Sequence, residues 1–436
     1  MAAIERTERA ETPATTSRDG GRTGGGGGGR RRAEAAEWRA SAMAESPAEA
    51  DGLPRGNWVA SLAGRERTRA VFKGVPILRV SLSRRYTVAD GGEFAVASYP
   101  KKLHMACRHR GAMVVVPSYS LPAGGAACPT AVYDSAIAAE AVAEWGAPRE
   151  AVADAVAEAE ARTICGGCYM VRLARLRANV RGAHDARFAE AVRMVRAWSR
   201  SGRILGEAVR LRAAHMVAEA ACDAIANGRE AETWPPEVAR AVRLATYGEA
   251  EDGASAVAEW AAIAWRIIRS MSAGLSRQLE CAECAAEDIR MRWHMGGDIF
   301  AVSYAAILRH VIWRALLDLY TALRIWNPTR GWHGRVPHRL RAAIESLAEW
   351  GASAETGGRV IVSASALLVG EAVPDSVARR FGGASAVARD AEAVASLPAE
   401  YSAGGPCAAQ SENVTHSCED CRVCYTPRNR VPYLLH

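Results

Sequence analysis

The chain has 436 residues, of which 49% are hydrophobic and 24% are charged, and its formal net charge is +7. These proportions are typical of a globular protein with a sizeable core, and they exclude a wholly disordered or collagen-like chain. No apolar run reaches the roughly 20 residues that span a bilayer, since the best candidate, 311–326, contains two arginines and an aspartate. The charged N-terminus lacks the apolar centre of a secretion signal, so we expect a cytoplasmic protein without a membrane partner.

The composition changes along the chain and predicts three regions. Residues 1–55 are rich in glycine and arginine and predict a disordered tail. Met43 is an alternative start within this tail, and with that start residues 1–42 would not belong to the native protein. Residues 56–400 have the strand and helix patterns of an α/β body. Residues 401–436 are rich in cysteine and predict a metal-binding segment.

Short apolar runs in the first part of the body predict strands over 77–82, 93–97 and 112–116. The last run ends at Pro117, and we interpret residues 118–128 as the loop that follows it. Loops after the carboxyl ends of strands carry the chemistry of α/β folds. The cysteine at the end of this loop is therefore a candidate site residue.

Two helical insertions are predicted, over about 134–162 and over about 170–280, from Ala- and Glu-rich composition and from apolar residues at helical spacing. Strand patterns at 289–293, 323–326 and 360–362 follow and are separated by helical segments. This alternation predicts an α/β fold, a partial (β/α) barrel-like parallel sheet with its loops gathered at one edge.

Four cysteines near the C-terminus have the spacing of metal ligands. They are Cys407, Cys418, Cys421 and Cys424. Two residues lie between Cys418 and Cys421, and two lie between Cys421 and Cys424. This spacing lets thiolates converge on one centre, and four thiolates suit a [4Fe–4S] cluster or a zinc ion. The run of three cysteines favours an iron–sulfur cluster, with zinc as the alternative.

A second set of thiols is formed by Cys128, Cys165 and Cys168. Three protein ligands leave one metal position open, as catalysis at a metal requires. The structural alternative is a zinc knuckle whose fourth ligand is a histidine, Cys281 or Cys284.

Two glycines and an aspartate follow the strand predicted at 289–293. Gly296 and Gly297 permit a close backbone approach, and Asp298 can accept a hydrogen bond from an ammonium or a hydroxyl group. A turn with a helix N-cap at Asp298 explains the same residues. Further candidates to line this strand edge are Arg292, His294 and Arg330. No pattern identifies a catalytic residue.

The region from Arg172 to Arg212 is strongly basic, with eleven arginines against three acidic residues. A solvated helix face accounts for such a pattern. A groove for an anionic partner such as nucleic acid is the functional alternative.

Several motifs between residues 110 and 436 resemble those of the gene product 88 family of phage proteins. The matching motifs are Ser120-Leu-Pro-Ala-Gly before Cys128-Pro, Cys165-x-x-Cys168-Tyr169, Arg292-Trp-His-x-Gly-Gly-Asp298, Trp326-x-x-Thr-Arg330, and the C-terminal cysteines with Val431-Pro-Tyr433-Leu-Leu-His436. This sequence differs from the family pattern in the 36 residues that separate its first two matching cysteines.

The resemblance implies an iron–sulfur protein with a layout similar to that of radical SAM enzymes. It implies that the first three matching cysteines hold a [4Fe–4S] cluster with one open iron and that Tyr169 flanks this cluster. The two glycines and Asp298 would contact the ammonium of S-adenosylmethionine, and the four C-terminal cysteines would hold an auxiliary cluster. The alternative is a zinc-stabilised nucleic-acid-binding or accessory protein without catalysis.

Overall fold

A computed structural model describes part of the chain. The described residues are 70–72, 75–77, 104–107, 112–115, 117–122, 127–128, 178–279, 289–294, 296–334, 336–403, 406–407 and 423–434. The predicted tail at 1–55, the predicted strand at 93–97 and the predicted helical hairpin at 134–162 lie outside them. All structural statements below concern the described residues.

The strands are short and, from β5 onward, alternate with helices. They are β1 (Ala70–Phe72), β2 (Val75–Ile77), β3 (His104–Cys107), β4 (Ala112–Val115), β5 (Ser118–Tyr119), β6 (Ile289–Trp293), β7 (Leu323–Thr329), β8 (Val360–Ser365), β9 (Gly383–Ala388) and β10 (Asn429–Leu434).

The helices include a long group between β5 and β6. They are α1 (Ala178–Leu205), α2 (Glu207–Ala226), α3 (Pro236–Ala245), α4 (Glu251–Leu279), α5 (Val302–Ile307), α6 (Trp313–Leu319), α7 (His338–Ala352), α8 (Asp375–Arg380), α9 (Ala391–Ala395) and α10 (Ala399–Ser402), with a π-helical turn at Leu308–Ile312 and a 3₁₀ turn at Val423–Tyr425. None of the described helices combines the length and the hydropathy needed to cross a membrane.

The main sheet contains six strands, β5 to β10, whose order in the sheet is their order in the chain. Every neighbouring pair in it is parallel. Parallel neighbours need a crossover connection, and right-handed crossovers in a sequentially ordered sheet bring the connecting helices to one face. The predicted α/β class with a parallel sheet is therefore confirmed.

The main sheet begins where the sequence predicted a loop. Ser118 and Tyr119 pair with Arg292 and Trp293 of β6. The apolar run before Pro117 pairs instead with β3 in a separate antiparallel hairpin. The prediction of a loop from residue 118 was therefore wrong at its start, because an apolar run signals burial and does not specify which sheet a strand joins.

Strand β7 extends beyond its predicted end at Trp326 and includes a proline. Ile325 donates its N–H to Arg359 on the β8 side, so that Pro328, three residues later, faces β6. The pairing of β6 with β7 ends at Trp326. The absent N–H of Pro328 therefore costs the sheet no hydrogen bond, and the proline is tolerated.

One face of the sheet is apolar and is covered by helices. Its buried side chains include Met291 and Trp293 of β6, Ile325 of β7, Val362 of β8 and Ala386 of β9, and they form one cluster with buried residues of the helices. The alternate residues of the same strands point to the opposite face, because successive side chains of a strand alternate. Two apolar side chains on that face, Trp326 and Ile361, form a separate small cluster with Tyr425.

Candidate functional site

The candidate site lies where the segment after β5 meets the segment after β6. Leu121 donates its N–H to the Gly296 carbonyl oxygen at 3.0 Å, and Asp298 donates its N–H to the Ala127 carbonyl oxygen at 2.7 Å. Cys128, which follows Ala127, is buried with 9% of its surface exposed. The cysteine segment and the Gly-Gly-Asp segment are thus neighbours at the carboxyl edge of the parallel sheet.

Gly297 occupies a position that only glycine fits. Its φ angle is +76°, and a Cβ placed there would lie 2.5 Å from Cβ of Leu121. Both the left-handed backbone and the lack of space therefore require glycine. The predicted close approach is observed here, and the group that approaches is Leu121 of the same chain.

The Asp298 carboxylate holds the carboxyl end of β7. Its Oδ1 accepts from the Thr329 hydroxyl at 2.6 Å and from the Ile299 N–H at 2.7 Å, and its Oδ2 accepts from the Arg330 N–H at 2.8 Å. Arg330 lies beyond the last residue of β7 that pairs with β6 or β8, so the carboxylate satisfies a backbone N–H that the sheet leaves without a strand partner. An ionised carboxylate has about four acceptor positions, so Oδ2 retains one for a further donor.

Burial raises the pKa of Asp298, and the three donors oppose this rise. The carboxyl group is 4% exposed, so it lies in a site with little water. Hydrogen bonds to a charged acceptor are stronger in such surroundings than in water. Asp298 is therefore a fixed, pre-oriented group.

His294 is strained and buried. Its φ angle is +58°, a left-handed conformation that costs a residue with a Cβ roughly 1–2 kcal/mol. Its Nε2 is 3.1 Å from the Tyr304 hydroxyl, which also accepts from Nε1 of Trp293 at 3.2 Å. Burial lowers the pKa of His294 to about 3, so the imidazole is neutral at neutral pH.

Asn327 is a site residue that the sequence analysis did not single out. It is fully buried on β7, and neither atom of its amide makes a hydrogen bond of ordinary geometry with the described residues. It lies near enough to His294 to oppose the lowering of that residue's pKa, and Nδ1 of His294 also has no hydrogen bond with the described residues. Leu323, Ile325 and Asn327 are alternate residues of β7, so a polar residue at an apolar position of this alternation was the signal that could have identified it.

The face of the sheet opposite the helices is polar. No strand of the main sheet contains an acidic residue, whereas β6 and β7 contribute three arginines to this face. Its polar side chains are Ser118, Arg290, Arg292, Arg324, Ser363, Ser365, Ser385, Asn429 and Tyr433. A face with this composition is unusual for a parallel sheet, whose strands are normally apolar on both sides.

Two of the predicted C-terminal ligands lie on this polar face. The Cys424 thiol is 3.1 Å from the Tyr433 hydroxyl, and Cys407 donates its N–H to the Pro432 carbonyl oxygen at 2.9 Å. Burial, followed by the thiols of Cys424 and Cys407, raises the pKa of Tyr433, while Arg292 opposes the rise. The structure thus brings Cys407 and Cys424 to the same tyrosine.

The remaining predicted ligands lie outside the described residues. They are Cys165, Cys168, Cys418 and Cys421, together with Tyr169 and the alternative ligands Cys281 and Cys284. Within the described part of the chain, no group of three or more His, Cys, Asp and Glu residues could hold a metal ion.

Several of the arginines between residues 172 and 212 whose side chains the structure describes are engaged within the protein. Arg193 and Arg200 form ion pairs with Glu259, and Arg210 forms one with Glu207. Arg212 donates to the Ala245 carbonyl oxygen at the end of α3. These contacts favour the structural interpretation of the basic region over a groove for nucleic acid.

Comparison with known proteins adds no relative. No model of a protein family matches the chain, and no curated protein or solved structure matches it either. The resemblance to the gene product 88 family therefore stays a prediction supported by the motifs themselves.

Proposed function

We propose that the protein is an iron–sulfur enzyme of the radical-SAM-like type, similar to the gene product 88 family of phage proteins. The observation that carries the proposal is the meeting of the Cys128 segment with Gly296, Gly297 and Asp298 at the carboxyl edge of a sequentially ordered parallel sheet. Ligands of parallel α/β folds bind at this edge.

The one-sided arrangement of helices supports the partial barrel within this proposal. A sheet whose strands follow chain order, with helices packed on one face, curves around its other face when it forms a barrel. That other face is polar here, and it carries Cys424 near its β10 edge. A polar inner face is suited to hold a substrate close to a cluster.

Three of the seven predicted cluster ligands, Cys128, Cys407 and Cys424, are among the described residues. Cys128 lies next to the Gly-Gly-Asp segment, and Cys407 and Cys424 share one tyrosine neighbour. Bound at Cys128, Cys165 and Cys168, a [4Fe–4S] cluster would supply one-electron reduction of S-adenosylmethionine. Asp298 would orient the ligand's ammonium through the acceptor position left on Oδ2, and Gly297 would keep the backbone close to Leu121.

The first experiment is an anaerobic purification with analysis of iron, acid-labile sulfide and zinc. Two [4Fe–4S] clusters require about eight irons per chain. We expect the variant Cys165→Ala/Cys168→Ala and the variant Cys421→Ala/Cys424→Ala each to lose about half of this iron. Cleavage of S-adenosylmethionine by the reduced protein would then test the enzyme activity.

Cys222→Ala is the matched control, because Cys222 lies on α2 and donates to the Ala315 carbonyl oxygen, away from the sheet edge. It should retain all of the iron. Colourless, iron-free protein from the anaerobic preparation would overturn the proposal. Zinc in place of iron would support the zinc-stabilised alternative.

A further inference from the structure

Arg292 differs from the other arginines on the polar face. Arg324 donates to the Tyr425 carbonyl oxygen at 3.1 Å, and the Arg290 guanidinium lies over the Tyr425 ring at 5.6 Å. The Arg292 guanidinium lies instead over the indole of Trp326, with its central carbon 4.5 Å from the ring centroid. Two of the three arginines therefore pack against the 3₁₀ turn that contains Tyr425, and the third does not.

The Arg292 guanidinium makes neither a hydrogen bond nor an ion pair with any other described residue, and its Nε is buried without an acceptor. The N–H groups of a guanidinium lie in one plane and can bind two oxygens side by side. Stacking on an indole covers the flat face of the guanidinium and leaves these N–H groups at its edge. The indole also fixes the orientation of the fork. Arg292 is thus a pre-oriented donor whose acceptor is not supplied by the described chain.

Further hydroxyl groups lie on the same face of the sheet. Ser118 of β5 is the direct neighbour of Arg292 in the sheet register; it is completely buried, and its hydroxyl is 3.4 Å from that of Ser120. Ser363 lies two strands away on β8; it is 1% exposed, and its hydroxyl has no hydrogen-bond partner among the described residues. The arginine and the serine hydroxyls can donate hydrogen bonds to an anion. The strands that carry them contain no carboxylate that would repel it.

We propose that Arg292 binds an oxyanion, the carboxylate or phosphate group of a small-molecule substrate, on the polar face of the sheet. The inference rests on the proposed function in naming the ligand as the enzyme's substrate. The binding of the anion itself depends only on Arg292, Trp326 and the serine hydroxyls.

The first test uses the wild-type protein and phenylglyoxal, which modifies arginine side chains, followed by peptide mapping by mass spectrometry. Inorganic phosphate and succinate are the two protecting anions. An anion at ten times its dissociation constant leaves about one-tenth of the site free, so the modification rate of Arg292 should fall about tenfold. Arg203, which is exposed on α1, is the internal control and should react at an unchanged rate.

Protection by phosphate alone would identify a phosphate-bearing ligand, and protection by succinate alone would identify a carboxylate. An equal modification rate of Arg292 with and without both anions would overturn the inference. This measurement needs no variant, so a folding defect cannot obscure it.

The second test compares Arg292→Gln with Arg203→Gln by thermal unfolding at increasing phosphate concentration. We expect phosphate to raise the melting temperature of the wild type and of Arg203→Gln and to leave that of Arg292→Gln unchanged. An equal rise in all three proteins would place the anion elsewhere and overturn the inference.

The iron analysis tests the proposed enzyme and the anion tests examine the Arg292 site, so each proposal can be overturned without the other. Anion protection in a protein without iron would leave this site standing and overturn the proposed enzyme. Iron clusters together with an unprotected Arg292 would support the enzyme and overturn this inference.

Discussion

The two faces of the main sheet are made by the same strands and have opposite characters. On β8, Val362 is buried among helix side chains, while the next residue, Ser363, is equally buried on the other face without a hydrogen bond for its hydroxyl. Burial is therefore not what distinguishes the two faces. The helix face gains free energy from apolar contact, whereas the polar face keeps unsatisfied groups that stability alone does not explain.

This difference suggests that the two faces have different tasks. Apolar packing on one face fixes the curvature and register of the sheet. The rigid sheet then holds arginine and serine side chains of the other face in position, as is usual for a site built on regular elements. Substitutions on the helix face should therefore change stability, and substitutions on the polar face should change binding.

The largest effect is expected for Trp293→Ala. Trp293 is completely buried, stacks on Tyr119 with ring centroids 4.6 Å apart and contacts Trp313. Removal of a buried aromatic side chain leaves a cavity and should lower the free energy of unfolding by about 3–5 kcal/mol. Chemical denaturation measures this, with Trp293→Phe as the matched variant that should lose less than half as much. A loss of under about 1 kcal/mol for the alanine variant would show that the helix face is not the stabilising one.

Asp298→Ala is expected to come next. It removes three hydrogen bonds to a buried carboxylate and leaves the Thr329 hydroxyl and the Arg330 N–H without their acceptor. The cost should be about 3 kcal/mol, since hydrogen bonds to charged groups and unsatisfied buried donors each count for more than ordinary ones. The control is Asp298→Asn, which keeps the shape and one acceptor oxygen. If alanine and asparagine variants were as stable as the wild type, Asp298 would not hold the carboxyl end of β7.

The pH dependence of stability should show a contribution from His294. Its pKa is about 3 in the folded protein and 6.5 in the unfolded chain, so between these values only the unfolded chain binds the proton. Stability is therefore lost as the pH falls below 6.5, by about 1.4 kcal/mol per pH unit for this group, or about 2 kcal/mol by about pH 5.

Urea denaturation of the wild type and of His294→Asn at several pH values measures this contribution. Asparagine adopts the left-handed backbone readily, so the variant should tolerate the strained position. The variant should lose less stability on acidification than the wild type. Identical slopes in the two proteins would show that His294 is not the group responsible.

The smallest expected effects come from substitutions at two adjacent residues of β8, and their comparison tests the difference between the two faces most directly. Val362→Ala and Ser363→Ala remove side-chain atoms from adjacent residues of one strand, both of them buried. The first should cost about 2 kcal/mol through lost apolar contact. The second should not lower the free energy of unfolding, because the buried hydroxyl that it removes has no partner among the described residues and carries a desolvation cost. Similar losses at both positions would remove the contrast between the faces.

The sequence predicted the centre of the sheet well and its margins poorly. The strand at Ile289–Trp293 was predicted with its observed bounds because it is apolar, alternates and ends at a glycine-containing turn. Strand β9 was missed because its small residues, Gly-Ala-Ser-Ala-Val-Ala, carry little strand propensity. Strand β10 was missed because it contains a proline and follows a run of cysteines that was assigned to metal binding.

The residues of the candidate site were also predicted only in part. Gly297 and Asp298 could be singled out because glycine and carboxylate at a strand end have few structural alternatives. Asn327 was missed, and its significance becomes clear only from its burial beside His294. Arg292 was a candidate for the strand edge, but only the stacking on Trp326 shows which arginine of the face has no partner in the described chain.

The sequence by itself determined the α/β class and the neighbourhood of the Gly-Gly-Asp segment, because strand periodicity and glycine requirements are local properties of the backbone. The tertiary structure decided which strands join the sheet, that Ser118 begins it, and which face is polar. These features depend on contacts between residues far apart in the chain, such as Asp298 with Thr329 and Arg324 with Tyr425. Pairing and burial of this kind are set by the free energy of the whole packed fold and leave no local signal in the sequence.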